Sequence, residues 1–224
     1  MMAALVAHHT GRAARVIYDK DTDMQATGKR HPYLVQWGVG YDDDGRIRAL
    51  RFRYYSDAGC TTDLSPSIME RTLLHSDNAY YIPAADFSGW CCFTNLPSNT
   101  AFRGFGGPQG MLAIERIIDD IAAVLGLDPL DVRQANLYAP GRDVTPYGMS
   151  VADNIAPDLI ATLRRTARYD ERVQEISAFN AASAVLKRGI ALTPVKFGIS
   201  FTTTHLNQAG ALVHLYADGT IQVS

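Results

Sequence analysis

An α+β fold is predicted for this chain by three observations in its sequence. Met111, Ile114, Ile117, Ile118, Ile121, Ala122 and Leu125 recur at the spacing of one helix face. A loosely alternating run from Tyr33 to Tyr41 meets the acidic turn Asp42-Asp43-Asp44-Gly45, and Ile47 to Tyr55 returns beyond it as a second strand. Composition supplies the third: 47% hydrophobic and 20% charged residues are ordinary for a globular domain and exclude intrinsic disorder. The net charge of −2 gives bulk attraction to neither nucleic acid nor an anionic membrane. No apolar run reaches the roughly 20 residues a membrane helix requires.

The elements follow in order. Residues 1–9 read as the tail of a helix closed by Gly11, and Ala13 to Tyr18 read as a strand. In the return strand, Ile47, Ala49, Arg51, Arg53 and Tyr55 share one face, while Leu50, Phe52 and Tyr54 share the other. Residues 57–110 are rich in Gly, Ser, Asn, Asp and Pro and read as one long irregular stretch, which in a compact protein usually carries function. Pro108 opens the amphipathic helix and Gly126 stops it. Asp128-Pro129 starts a short helix through Asn136, and Pro157–Ala167 and Asp170–Leu186 read as two more. Gly189–Phe201 and Gly210–Tyr216 read as strands, the latter turning at Ala217-Asp218-Gly219 into Thr220–Ser224. A length of 224 residues allows one or two units of roughly 100–200 residues, with a sub-boundary near 140–150. Three cysteines (Cys60, Cys91, Cys92) make no even framework and no basic leader precedes Met1–Ala7, so a reducing cytoplasm is expected. The opening in mid-helix and the ending in mid-strand suggest an internal fragment.

The strongest local signal is Asn99-Thr100-Ala101-Phe102-Arg103-Gly104-Phe105-Gly106-Gly107-Pro108-Gln109. Its glycines let backbone amides approach a ligand, and they lead straight into a helix N-terminus. Gln109 stands where a dinucleotide fingerprint needs its third glycine, and no Gly-Lys-Ser/Thr marks a phosphate loop. Two readings stay open from the residues alone: a ligand loop, or a tight turn that caps a helix. Arg71 lies in the mostly apolar stretch Ser67–Leu74 and is either a solvated surface cation or one held near a cleft. Burial preferences favour the surface. The six histidines show no metal-ligand spacing, and no Cys-x-x-Cys exists to hold an iron–sulfur cluster. No catalytic base is identified from the residues themselves.

The segment Asn95–Gln109 closely resembles the molybdenum-binding portion of the xanthine dehydrogenase family of molybdenum hydroxylases. Further blocks resemble that family in family order: Thr27–Pro32, Tyr55–Gly59, Met69-Glu70-Arg71, Lys196–Thr202 and Leu206–His214. The resemblance covers essentially the whole chain. It implies part of a large α+β catalytic unit that binds molybdopterin (Mo) and hydroxylates an electron-poor carbon of hypoxanthine or xanthine, ending at urate. Electrons would leave through 2Fe-2S clusters and FAD to NAD, on the same polypeptide or on a partner subunit, in an enzyme expected to be dimeric.

Carried over residue by residue, the resemblance gives Arg71 the position facing the purine, where its fixed charge would stabilise negative charge on the heterocycle. Phe105 takes the position that packs on the purine ring, Phe201 its partner on the other side, and Thr202 that of a hydrogen-bond donor. Phe102, Arg103 and Gly104 fall on the cofactor-binding loop, with the Arg103 main chain at the molybdenum. Related aldehyde oxidases lack an arginine at the Arg71 position, and carbon-monoxide-oxidising relatives carry a cysteine in this loop, so purine hydroxylation is favoured. The family's catalytic glutamate would lie beyond Ser224, and a second substrate-contacting glutamate before Met1. The 224-residue chain alone is therefore expected to lack hydroxylase activity. The alternatives are a related molybdenum hydroxylase acting on another N-heterocycle or an aldehyde, and a noncatalytic scaffold of that fold.

Overall fold

The computed structural model describes residues 1–224 and is a mixture of helices and strands, as expected. A three-stranded sheet is built from β1 (Tyr33–Tyr41), β2 (Ile47–Gly59) and β3 (Ala85–Phe93). The acidic turn makes β1 and β2 antiparallel. β3 runs parallel to β2, and α3 (Ser65–Leu74) makes the crossover between them. α4 (Gly107–Leu125) then packs on α3, and both lie against the inner face of the sheet.

The core follows from the strand alternation. Leu50, Phe52 and Tyr54 point inward from β2 and meet Met69 of α3 and Ile114, Ile117, Ile118 and Ile121 of α4. A bulge between Gly40 and Tyr41 shifts the register, so Ile47 is buried instead of sharing the outer face with Ala49 and Arg51. α5 (Pro129–Asn136) is started by Asp128, whose carboxylate accepts the Leu130 N–H at 2.7 Å. α6 (Ala156–Thr166) and α7 (Tyr169–Ala182) complete the helical side, tied to α5 by Arg164, which pairs with Asp131 and Asp170. β4 (Val213–Leu215) and β5 (Ile221–Val223) form a separate small hairpin.

Several expectations need correction. Residues 57–110 are not irregular: they hold the end of β2, all of α3 and all of β3. α3 buries Ser65, Arg71 and Thr72 as well as Ile68 and Met69, so its inward face carries no plain apolar stripe. Ala13 to Tyr18 forms no strand, because it lies almost wholly exposed with no neighbour to pair with. Gly189 to Phe201 is extended but joins no ladder, since side chains rather than a strand satisfy its backbone. α7 ends at Ala182, short of Leu186. α2 (Lys20–Ala26) was not expected, although Asp19 caps it at the Thr22 N–H. α1 (Met2–Thr10) ends at Gly11 as expected. No helix is long and apolar enough to cross a membrane.

Candidate functional site

Three segments meet at one end of α3: the last turn of α3, the glycine loop 99–106, and the extended segment 189–203. The glycine loop is fastened to the sheet, with Asn99 donating from Nδ2 to the Asp57 carbonyl at 2.9 Å and from its N–H to that of Ala58 at 3.0 Å. Gly104, Phe105 and Gly106 then take positive φ in succession, at 91°, 49° and 98°. At Gly106 a Cβ would stand 2.1 Å from the Ile68 carbonyl oxygen of α3, so only glycine fits. The Gly106 carbonyl accepts the Thr72 hydroxyl at 3.0 Å, which locks the loop to α3 just before α4 begins.

Arg71 is 3% exposed, contrary to the surface reading of the sequence. Its two terminal nitrogens donate to the Gly198 and Ser200 carbonyls of the extended segment, while Nε is buried without a partner. Its guanidinium carbon lies 5.1 Å from the Phe197 ring centre and 5.7 Å from that of Phe105. No carboxylate forms a salt bridge with it, whereas the other buried arginine, Arg133, has two. Burial pushes the Arg71 guanidinium below its ordinary value. A buried cation held by carbonyl dipoles alone keeps its positive field for a ligand.

Phe105 and Phe201 lie side by side with their rings in contact, 5.0 Å apart between centres and tilted by 54°. A flat ring sandwiched between them would need two van der Waals spacings of roughly 3.5 Å each, so in this structure that gap is closed. Thr202 lies one residue on, its hydroxyl donating to the Ser67 carbonyl at 3.3 Å. Arg71, Lys196, Phe197, Phe201, Thr202 and Tyr147 are among the residues lining a cavity of about 550 Å³. Phe102 and Arg103 stand apart from this cluster, on the exposed outer side of the loop. Arg30 covers the Phe102 ring at 4.5 Å and donates to the Arg103 carbonyl at 2.5 Å.

Four contributors were missed in the sequence. Phe197 flanks Arg71, and Arg30 braces the glycine loop. His75 accepts the Gly198 N–H on Nε2 at 2.9 Å, and Asn78 grips Pro194 and Lys196. His75 was discoverable: it follows Arg71 by four residues, which places both on one helix face. Asn78 had no sequence signal, because its grip depends on a left-handed turn, φ 44°, after α3.

With this geometry in hand, the comparisons assign the class. The description of the molybdopterin cofactor-binding domain matches residues 1–137, and a second molybdopterin cofactor-binding description matches residues 162–224. The chain belongs to the molybdopterin cofactor-binding domain family. Among individual relatives, it is 44% identical over 223 residues to the xanthine dehydrogenase of Dictyostelium discoideum and 48% identical over 217 residues to the xanthine dehydrogenase/oxidase of Felis catus. These alignments cover 100% and 97% of the chain, which spans 16% of the length of either relative. The aldehyde oxidoreductase of Desulfovibrio desulfuricans has the same fold, with a TM-score of 0.79 at 24% identity over 99% of this chain and 24% of that one.

Proposed function

We propose that this chain supplies the substrate-facing wall of a molybdenum hydroxylase that oxidises a purine, hypoxanthine or xanthine, toward urate. The observation that carries this reading is Arg71: a cation 3% exposed, free of any carboxylate, on the wall of a cavity. A purine under nucleophilic attack gathers negative charge, and a fixed cation already in place stabilises it without reorganisation. Phe105 and Phe201 present a tilted aromatic wall beside that cation, and Thr202 adds a hydroxyl. The purine would lie against this ring pair.

The residues fit a pterin-borne metal. No three His, Cys, Asp or Glu side chains are grouped to hold a metal ion, so a metal here would arrive on its organic carrier. The loop that would receive it is glycine-lined, and Arg30 Nη1 beside it is buried without a partner. Phe102, Arg103 and Gly104 would meet the cofactor, and the Arg103 main chain would face the molybdenum. The molybdopterin cofactor supplies the oxygen-transfer and redox chemistry, while this chain binds, orients and polarises the substrate. Iron–sulfur, FAD and NAD sites, together with dimeric assembly, belong to this proposal for the whole protein.

In the complete holoenzyme, Arg71→Leu is expected to lower kcat/KM for xanthine by about 10²–10³-fold, the usual cost of removing one transition-state charge partner. A neutral aldehyde should lose far less. Equal losses on both substrates would remove the charge-stabilisation reading and favour a hydroxylase of neutral substrates.

A further inference from the structure

We infer that His75 is a positioning residue: as a neutral imidazole it fastens the segment carrying Phe201 and Thr202 to the helix carrying Arg71, and so sets the spacing of the substrate-facing groups. Its bearing on turnover rests on the purine-hydroxylase reading above; the clamp itself does not.

The hydrogen bonds fix the tautomer. Nδ1 lies 2.8 Å from the Arg71 carbonyl, which only accepts, so Nδ1 carries the proton. Nε2 is then left with a lone pair, and it accepts the Gly198 N–H at 2.9 Å. One ring therefore bonds the backbone of Arg71 and the backbone two residues after Lys196. The carbonyl of that same Gly198 accepts from the Arg71 guanidinium, so His75 and Arg71 hold opposite sides of one peptide residue. Phe197 packs on the imidazole at 4.8 Å between ring centres, which keeps the ring from turning. No strand ladder assists here, because residues 189–199 pair with no strand.

The clamp works in one charge state. A protonated imidazole would direct an Nε2–H at the Gly198 N–H, replacing a bond with a repulsion. Its surroundings oppose that charge. Arg71 faces it from its own helix and Lys196 from the extended segment, while Asp77 is taken up by Lys196 and Tyr138. From α4, Gly107 and Gly110 lie against it and bring no side chain. Burial holds His75 below its ordinary value, outweighing the opposing pull of its bond to the Arg71 carbonyl, and the two cations add smaller pushes in the same direction as burial. A histidine depressed in the folded state keeps its clamp above the unfolded value near 6.5 and loses it as pH falls through the lowered folded value.

Hydrogen exchange on the complete holoenzyme tests this directly. His75→Phe keeps the ring and its packing but removes the acceptor, and His75→Gln offers an acceptor that does not titrate. At pH 7.5, exchange at Gly198 should run roughly tenfold faster in His75→Phe than in wild type, the consequence of one lost hydrogen bond. His75→Gln should stay within a fewfold of wild type. As pH falls through the lowered folded value of His75, wild type should lose Gly198 protection relative to His75→Gln, and its xanthine kcat/KM should fall more steeply than that of His75→Gln. Unchanged Gly198 protection in His75→Phe overturns the clamp. Protection that follows the variants in an enzyme unable to oxidise xanthine keeps the clamp and overturns the substrate reading instead.

Discussion

Gly106 and Arg71 illustrate opposite relations between sequence and site. The glycine was legible: a run of glycines before Pro108 signals positive φ, and Gly106 has it at 98°. Its second reason, the Ile68 carbonyl 2.1 Å from any Cβ, depends on how closely the loop approaches α3. Gly106→Ala combines a left-handed β-carbon with a backbone clash. It should cost about 2–4 kcal/mol, measured as a lower urea midpoint at unchanged slope. Arg71 was illegible as a buried residue, because a charge in an apolar stretch ordinarily faces water. What buries it is Gly198 and Ser200, carbonyls from a segment more than a hundred residues away. Only the resemblance to a known family pointed at it.

At the scale of elements, strong periodicity was readable and polar inward faces were not. α4, α5 and the β1–β2 hairpin fall where apolar spacing, caps and the acidic turn predicted them. β3 escaped because Asp86, Ser88 and Gly89 blur its alternation, and a parallel partner leaves no turn signal beside it. The segment 189–203 misled in the opposite sense, strand-like in composition but held by side chains. Its anchorage reaches into α4: Asn78 binds both Pro194 and Glu115, and Glu115 also accepts the Tyr80 hydroxyl and Arg133 Nε. Removing Arg133 strands Glu115, which is only 14% exposed, without its cation. Arg133→Ala is therefore expected to cost about 3–5 kcal/mol in chemical denaturation, well beyond the change for Arg116→Ala on α4, whose pair with Asp120 is exposed. A difference under 1 kcal/mol between the two variants would show that the buried network is not what holds α4 to α5.

For the whole molecule, the α+β class and the blocks that meet at the site were present in the sequence, while their convergence was not. Residues 71, 105, 197 and 201 become neighbours only because α3 crosses from β2 to β3 and the extended segment returns over its last turn. The central claim is that this convergence makes a wall for a purine in a molybdopterin enzyme. The most direct measurement is urate formation from xanthine by the complete, cofactor-loaded protein, followed beside oxidation of a neutral aldehyde of similar size. The account predicts a kcat/KM for xanthine at least tenfold above that for the aldehyde, with the margin abolished by Arg71→Leu. An enzyme that oxidises the aldehyde and leaves xanthine untouched would contradict it.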